Sequence, residues 1–185
     1  MKNLFVFVLI MFSFILTTFS QTFNGIQIGE SLTKTQNDLK NKGFVFVEQN
    51  GVMYHYIGKI DNKNITIFIV STPKSNIVWK LQAFVDEAYT WVGAKISFDK
   101  YCTMLNRDYG NFNDNYRFFC DPYYEWDGHE MQALRVEKCF WYTDWLDSNG
   151  NTIALELLSY NNTTALTAIT YENKIGAELK IKEQE

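Results

Sequence analysis

The chain has 185 residues, with 17 Lys and Arg against 21 Asp and Glu, for a net charge of −4. That mild acidity argues against nucleic acid and anionic membrane surfaces as partners, because both are bound through a basic face. Aromatic residues make up 17% of the chain and proline only 2 positions, which supplies ample core material and excludes a disordered chain.

Taken in order, the first segment reads as a targeting signal. Met1-Lys2-Asn3 is a short basic start, Leu4 to Leu16 is apolar except for Ser13, and Thr18 and Ser20 precede Gln21 as the small residues of a cleavage site. This is the plan of a secretory signal. The apolar run ends by Phe19, short of the roughly 20 residues that span a bilayer. A cleaved leader over residues 1–20 and a secreted or periplasmic protein are therefore expected, with no membrane span after cleavage. The first cysteine is Cys102, so the leader is not followed by a lipobox.

A first repeat is expected over residues 21–92. Ser31 or Thr33 starts a helix, Thr33 with Gln36 fits a capping box, Leu32 and Leu39 mark its inner face, and Gly43 is placed to stop it. Phe44 to Gln49 reads as a strand. Asn50-Gly51 is the strongest short hairpin signal and leads into Val52 to Ile57. Ile65 to Ser71 is apolar on both faces, as a central strand should be. Between Ile77 and Val85 the alternation of Ile77, Trp79, Leu81, Ala83 and Val85 predicts a strand with one covered face.

A second repeat is expected over residues 93–173. Phe98, Tyr101, Cys102, Leu105 and Tyr109 fall at helical spacing, with Ser97 as the cap and Gly110 as the stop. Strands are predicted at Tyr116 to Cys120, Met131 to Thr143, Thr152 to Tyr160 and Ala165 to Glu172. A charged tail, residues 174–185, should fray. Ser31-Leu32 to Leu39 is echoed by Ser97-Phe98 to Leu105, and Ile65, Ile67 and Ile69 by Ile153, Leu155 and Leu157. The second copy is longer between its helix and its last hairpin, and the surplus is rich in aromatic residues. The predicted class is therefore α+β, two tandem helix-plus-antiparallel-sheet repeats.

The lead-in Gly25-Ile26-Gln27-Ile28-Gly29-Glu30-Ser31, a helix and then four strands, given twice in an exported chain, resembles the beta-lactamase inhibitor protein fold. The element order is also similar to that of small periplasmic outer-membrane assembly lipoproteins, whose anchoring cysteine is absent here. The resemblance to the inhibitor implies tandem sheets that present an aromatic-rich concave surface to a partner protein.

No catalytic or cofactor motif emerges. His129-Glu130 starts like a zinc-protease helix, but Ala133 stands where the second ligand is needed. His55 reads as a hairpin histidine and Ser31 as a helix cap. Asp147-Ser148-Asn149-Gly150 has calcium-loop character, but Trp145 occupies its first ligand position, so a plain turn is expected. Cys120 and Cys139 flank a reversal near Gly128 and could form a disulfide, with three reduced thiols as the alternative. The strongest functional signal is aromatic density between Tyr116 and Trp145, more rings than one side of a strand pair can bury. Tyr123, Tyr124, Trp126, Trp141 and Trp145 are the candidate binding residues. An exported, non-catalytic binding module without a cofactor is expected, with a protein as its partner. A glycan partner, or a hydrolase working with two carboxylates, are the alternatives.

Overall fold

The computed structural model describes residues 21–85 and 87–185. The expected leader lies outside the described residues. In chain order the elements are β1 (Thr22–Phe23), β2 (Ile26–Gln27), α1 (Leu32–Asn41), β3 (Val45–Asn50), β4 (Met53–Ile60), β5 (Lys63–Ser71), β6 (Val78–Phe84), α2 (Trp91–Tyr109), β7 (Asp114–Phe119), α3 (Glu130–Arg135), β8 (Cys139–Leu146), β9 (Thr152–Ser159), β10 (Ala165–Glu172) and α4 (Lys174–Gln184). The fold is mixed α+β. β3 to β10 form one eight-stranded antiparallel sheet in the order β3-β4-β5-β6-β10-β9-β8-β7, and β1 and β2 form a separate hairpin.

Local chemistry accounts for the first half. Ser31 caps α1 by accepting from the Lys34 amide at 3.4 Å, so the cap is Ser31 and not Thr33. Thr35 and Leu39 form the buried stripe of α1. Gly43 (φ 83°) ends the helix and lets Phe44 turn its ring into the core. Gly51 (φ 58°) makes the tight turn between β3 and β4. β5 lies between β4 and β6, and it buries Ile65, Ile67 and Ile69. On β6 the expected alternation is interrupted. A bulge shifts register between Val70 and Ser71, so Val78 enters the core in place of Ile77, and Trp79 is only partly covered.

Three expectations for the second half are corrected. α2 begins at Trp91, before the supposed cap at Ser97, so a repeat boundary between residues 92 and 93 would fall inside a helix. Trp91 and Ala94 extend the buried stripe of Phe98, Cys102 and Leu105 toward the N-terminus, and Ser97 hydrogen-bonds Thr167 on β10 at 2.8 Å from inside the helix. The segment expected as a strand from Met131 is α3 up to Arg135, with β8 starting only at Cys139. Met131 and Leu134 pack i, i+3 into the core, a helical spacing that a short apolar run does not separate from alternation. The C-terminal segment is helical and tied down. Asn173 caps α4 through the Gly176 amide, Gly176 lies on Trp79, and the Glu183 carboxylate accepts from the amides of Lys74 and Ser75 at 2.6 and 3.2 Å.

One cluster of buried side chains, from Phe23 and Leu39 through Ile67, Leu81 and Ile169 to Leu155 and Trp145, lies between the sheet and the helices α1, α2 and α3. Among the described residues no helix is long and apolar enough to cross a membrane.

Candidate functional site

Antiparallel pairing fixes which side chains share a face, because successive residues point to opposite sides. One row runs Tyr56, Ile67, Ala83, Ile169, Leu155 and Thr143 across β4, β5, β6, β10, β9 and β8. Its residues are buried against the helices. The row one step along, His55, Phe68, Gln82, Thr170, Ala154 and Asp144, belongs to the other face. The residues of that face stay outside the helix-covered core cluster.

The outer end of this face carries an aromatic ladder on β7 and β8. Tyr116 pairs with Tyr142 and Phe118 with Phe140. The Phe118 and Phe140 rings are 5.1 Å apart at 30°, and the Tyr116 and Tyr142 rings 6.0 Å apart at 30°. Along β7, Tyr116 meets Phe118 edge-on at 83°. Tyr116, Phe118 and Phe140 are 46%, 45% and 41% exposed. At the opposite end of the face, His55 stacks on Phe68 at 4.5 Å, and Phe68 meets Phe84 edge-on.

The middle of the face is polar and internally satisfied. The Gln82 amide donates to Glu156 at 3.3 Å and to the Thr170 hydroxyl at 3.2 Å, and Lys80 pairs with Glu172 at 2.8 Å. Burial pushes the Glu156 carboxyl above its ordinary range, against the pull of Lys80 and Gln82. Tyr142 donates to Asp144 at 3.3 Å, and burial together with the Asp144 charge keeps its hydroxyl protonated. The face therefore offers rings at its flanks, hydrogen-bonding groups between them, and little unpaired charge.

The candidate residues read from sequence do not form one surface. Trp141 (7% exposed) and Trp145 (0%) point into the core, the latter donating from its indole nitrogen to Asn106 at 3.0 Å. Both are removed as binding residues, because they share the face of Leu155 and Leu157. Tyr123 is partly buried against the same core. Tyr124 and Trp126 are exposed, in the loop between β7 and α3. Trp126 sits on the helix side, where the Lys95 ammonium lies 5.1 Å from its ring, 5.8 Å from Trp91 and 5.3 Å from Trp141, and is paired with Glu125. The ladder residues Tyr116, Phe118, Phe140 and Tyr142 are the ones missing from the sequence-based site. Their shared parity was visible, but Trp141, Thr143 and Trp145 formed an equally apolar alternate set.

Cys102, Cys120 and Cys139 are all free thiols, so the disulfide between Cys120 and Cys139 is not formed in the structure. Register gives the reason. Cys139 pairs with Phe119, and Cys120 sits across from Lys138, one pleat out of step. Burial, then the neighbouring Glu125, Glu130 and Cys120, push the Cys139 thiol up to about 12. The Asp147 carboxylate is taken by the amides of Asn149 and Asn151 at 2.8 and 2.9 Å, which makes this segment a side-chain-capped turn. No family model, no curated protein and no solved structure matches the chain, and its function is therefore read from the surface described above.

Proposed function

We propose that the protein is an exported, non-catalytic binding module that holds a partner protein on the face of its sheet turned away from α1, α2 and α3, centred on Tyr116, Phe118, Phe140 and Tyr142. The observation that carries this reading is the exposed ring ladder at the edge of an antiparallel sheet, on the face outside the core that α1, α2 and α3 cover. Soluble proteins seldom leave such a contiguous apolar patch uncovered without a use for it. Rings of this kind supply large contact area at small entropic cost, and Tyr is enriched among interface anchors. The partner surface should be apolar and hydrogen-bonding with little charge, to match paired Lys80 and Glu172. Ring geometry favours protein over glycan. A sugar chain stacks on rings lying flat in one plane, whereas Tyr116 and Phe118 stand at 83° to each other.

Strand order supports reading the chain as two repeats and supports the resemblance to the beta-lactamase inhibitor protein fold. α1 with β3 to β6, and α2 with β7 to β10, each contribute four strands, running from opposite edges to meet at β6 and β10. There Ala83 pairs with Ile169 and Leu81 with Tyr171, symmetrically about the Gln82 and Thr170 pair, as a two-fold relation between repeats would give. The longer second repeat then has its extra residues in the segment with α3, between its first two strands. Export rests on the leader-like residues 1–20.

A photo-crosslinking residue placed at Phe118 or Phe140 should trap one protein species from envelope extract, and the same residue at Ile96, exposed on α2, should not. Equal trapping from all three positions, or binding of defined polysaccharides that is lost in Phe118→Ala, would replace this reading with a non-specific surface or a glycan-binding one.

A further inference from the structure

β3 is an edge strand of the eight-stranded sheet, and among the described residues its backbone is paired on one side only, by β4. Every residue from Val45 to Asn50 is exposed, with Val45, Phe46 and Val47 at 62%, 49% and 46%. An open edge presents a row of N–H and C=O groups that only water or another strand can satisfy, and proteins blunt such edges with prolines, lysines, bulges or a covering segment. β3 has one of these devices, a bulge between Phe46 and Glu48, and contains neither proline nor lysine.

A groove of about 540 Å³ runs beside this edge, between α1 and the β3–β4 hairpin. That size is within the range of roughly 300–1,000 Å³ typical of ligand sites. Cross-strand pairing sets its floor. Phe46 pairs with Tyr56 and Gln49 with Tyr54, and the Phe46 and Tyr56 rings meet edge-on at 5.6 Å. The bulge is what brings Phe46 and Gln49, an odd number of steps apart, onto one face beside α1. The Gln49 amide donates to the Gly51 carbonyl at 2.8 Å and to the Tyr54 hydroxyl at 3.2 Å, which fixes the hairpin end of the groove. From α1 the wall is Gln36, Asn37 and Lys40. Lys40 is the only charged side chain in the lining; it is exposed and has no ion-pair partner among the described residues.

These features select the occupant. A row of backbone donors and acceptors at strand spacing is matched by an extended polypeptide, the ring-lined floor by an apolar side chain, and the lone ammonium by a carboxylate. A second copy of the chain fits less well. β3 against β3 would bring two Lys40-bearing grooves together, while Glu48, the carboxylate of this strand, lies on the other face of the sheet beside His55. We propose that the groove binds an extended acidic peptide segment of a partner protein, added as a further strand beside β3, with an apolar side chain over Phe46 and Tyr54 and an aspartate or glutamate carboxylate at Lys40. The site is at the opposite edge of the sheet from the ring ladder and stands independently of the proposed partner-binding face.

The test is selection of a random decapeptide display library on the purified protein, followed by fluorescence anisotropy with the strongest binder made synthetically. Enriched peptides should alternate apolar residues and carry aspartate or glutamate. Lys40→Glu should weaken the peptide about tenfold or more, and exchanging its acidic residues for lysine should restore binding to that variant. Ile96→Ser, at an exposed position on α2, should leave binding unchanged. Successive amides of a strand point to opposite edges, so methylating one alternate set of peptide nitrogens should abolish binding and methylating the other should not. In the unaltered protein, bound peptide should slow amide exchange across Val45 to Asn50 about tenfold or more and leave Asp114 to Phe119, on β7, as they were. Absence of enriched peptides, binding that ignores Lys40, equal loss from both methylated sets, protection at β7 in place of β3, or a dimer that protects β3 without peptide would overturn the assignment.

Discussion

Phe140 and Trp141 are neighbours on β8, yet the pairing of β7 with β8 sends them to opposite faces. Replacing each by alanine isolates that claim. Trp141 is buried against Trp91, with ring centroids 5.1 Å apart, and belongs to the core cluster. Trp141→Ala should therefore cost about 3–5 kcal/mol of folding stability, the range for deleting a buried ring and leaving a cavity. Phe140 is 41% exposed and loses chiefly its stack on Phe118, so Phe140→Ala should cost about 1 kcal/mol. In urea unfolding with a slope of about 2 kcal/mol per molar, these losses move the midpoint by about 2 M and about 0.5 M, with the slope unchanged. Binding should show the reverse order once stability is controlled, since only Phe140 can touch a partner. Equal losses, or a larger loss at Phe140, would mean that β8 is registered one residue away, which turns every side chain over and refutes the assignment of the two faces.

Three further outcomes are expected. Gly58→Ala would set a Cβ 2.5 Å from Cδ1 of the buried Phe44 ring, so it should cost about 1–3 kcal/mol, and Phe44→Leu in the same chain should recover part of the loss. Equal stability of Gly58→Ala and parent in urea would contradict the packing of Phe44 on β4. Burial raises the Glu156 carboxyl above its unfolded value of about 4.3, so the folded chain holds this proton more tightly. Stability is then lost as pH rises from the unfolded value through the raised folded one, and Glu156→Gln should melt above the parent at neutral pH but not at pH values below about 4; melting below the parent at neutral pH would show the charged form to be the favoured one. Non-reducing peptide maps should contain no link between Cys120 and Cys139, and in native protein at mildly alkaline pH iodoacetamide should spare Cys139, whose buried thiol is held protonated.

Short-range chemistry in the sequence was enough for the α+β class, the Gly43 stop, a hairpin turn at Gly51 and the central place of β5. Each of these depends on φ preferences or on the period of a few neighbouring residues. Ser31 was chosen over Thr33 as the cap only in the structure, and Asn50 proved to be paired with Met53, which leaves Gly51-Val52 as the turn. β10 was read at its full extent, Ala165 to Glu172, because clear turn residues bound it. Boundaries failed where local signals conflicted. Ser97 has the chemistry of a cap but lies inside α2, where Thr167 satisfies its hydroxyl, and the short apolar run at Met131 suits a strand until Cys139 and Leu157 provide a core for its helical face. The charged C-terminal segment held no strong stripe of its own, and α4 is secured by Trp79 and by the amides of Lys74 and Ser75, contacts far away in sequence.

The candidate site depended most on tertiary structure. Rings alternate along β8 in both parities, so composition could establish that the aromatic residues exceed what one face can bury but not which set remains outside. That choice is made by α2, whose Trp91 and Asn106 engage Trp141 and Trp145. It leaves Phe140 and Tyr142 to join Tyr116 and Phe118 on the face turned away from α2. The groove beside β3 is a consequence of assembly in the same sense: Lys40, Phe46 and Tyr54 belong to three different elements and line one groove only when α1 and the β3–β4 hairpin come together.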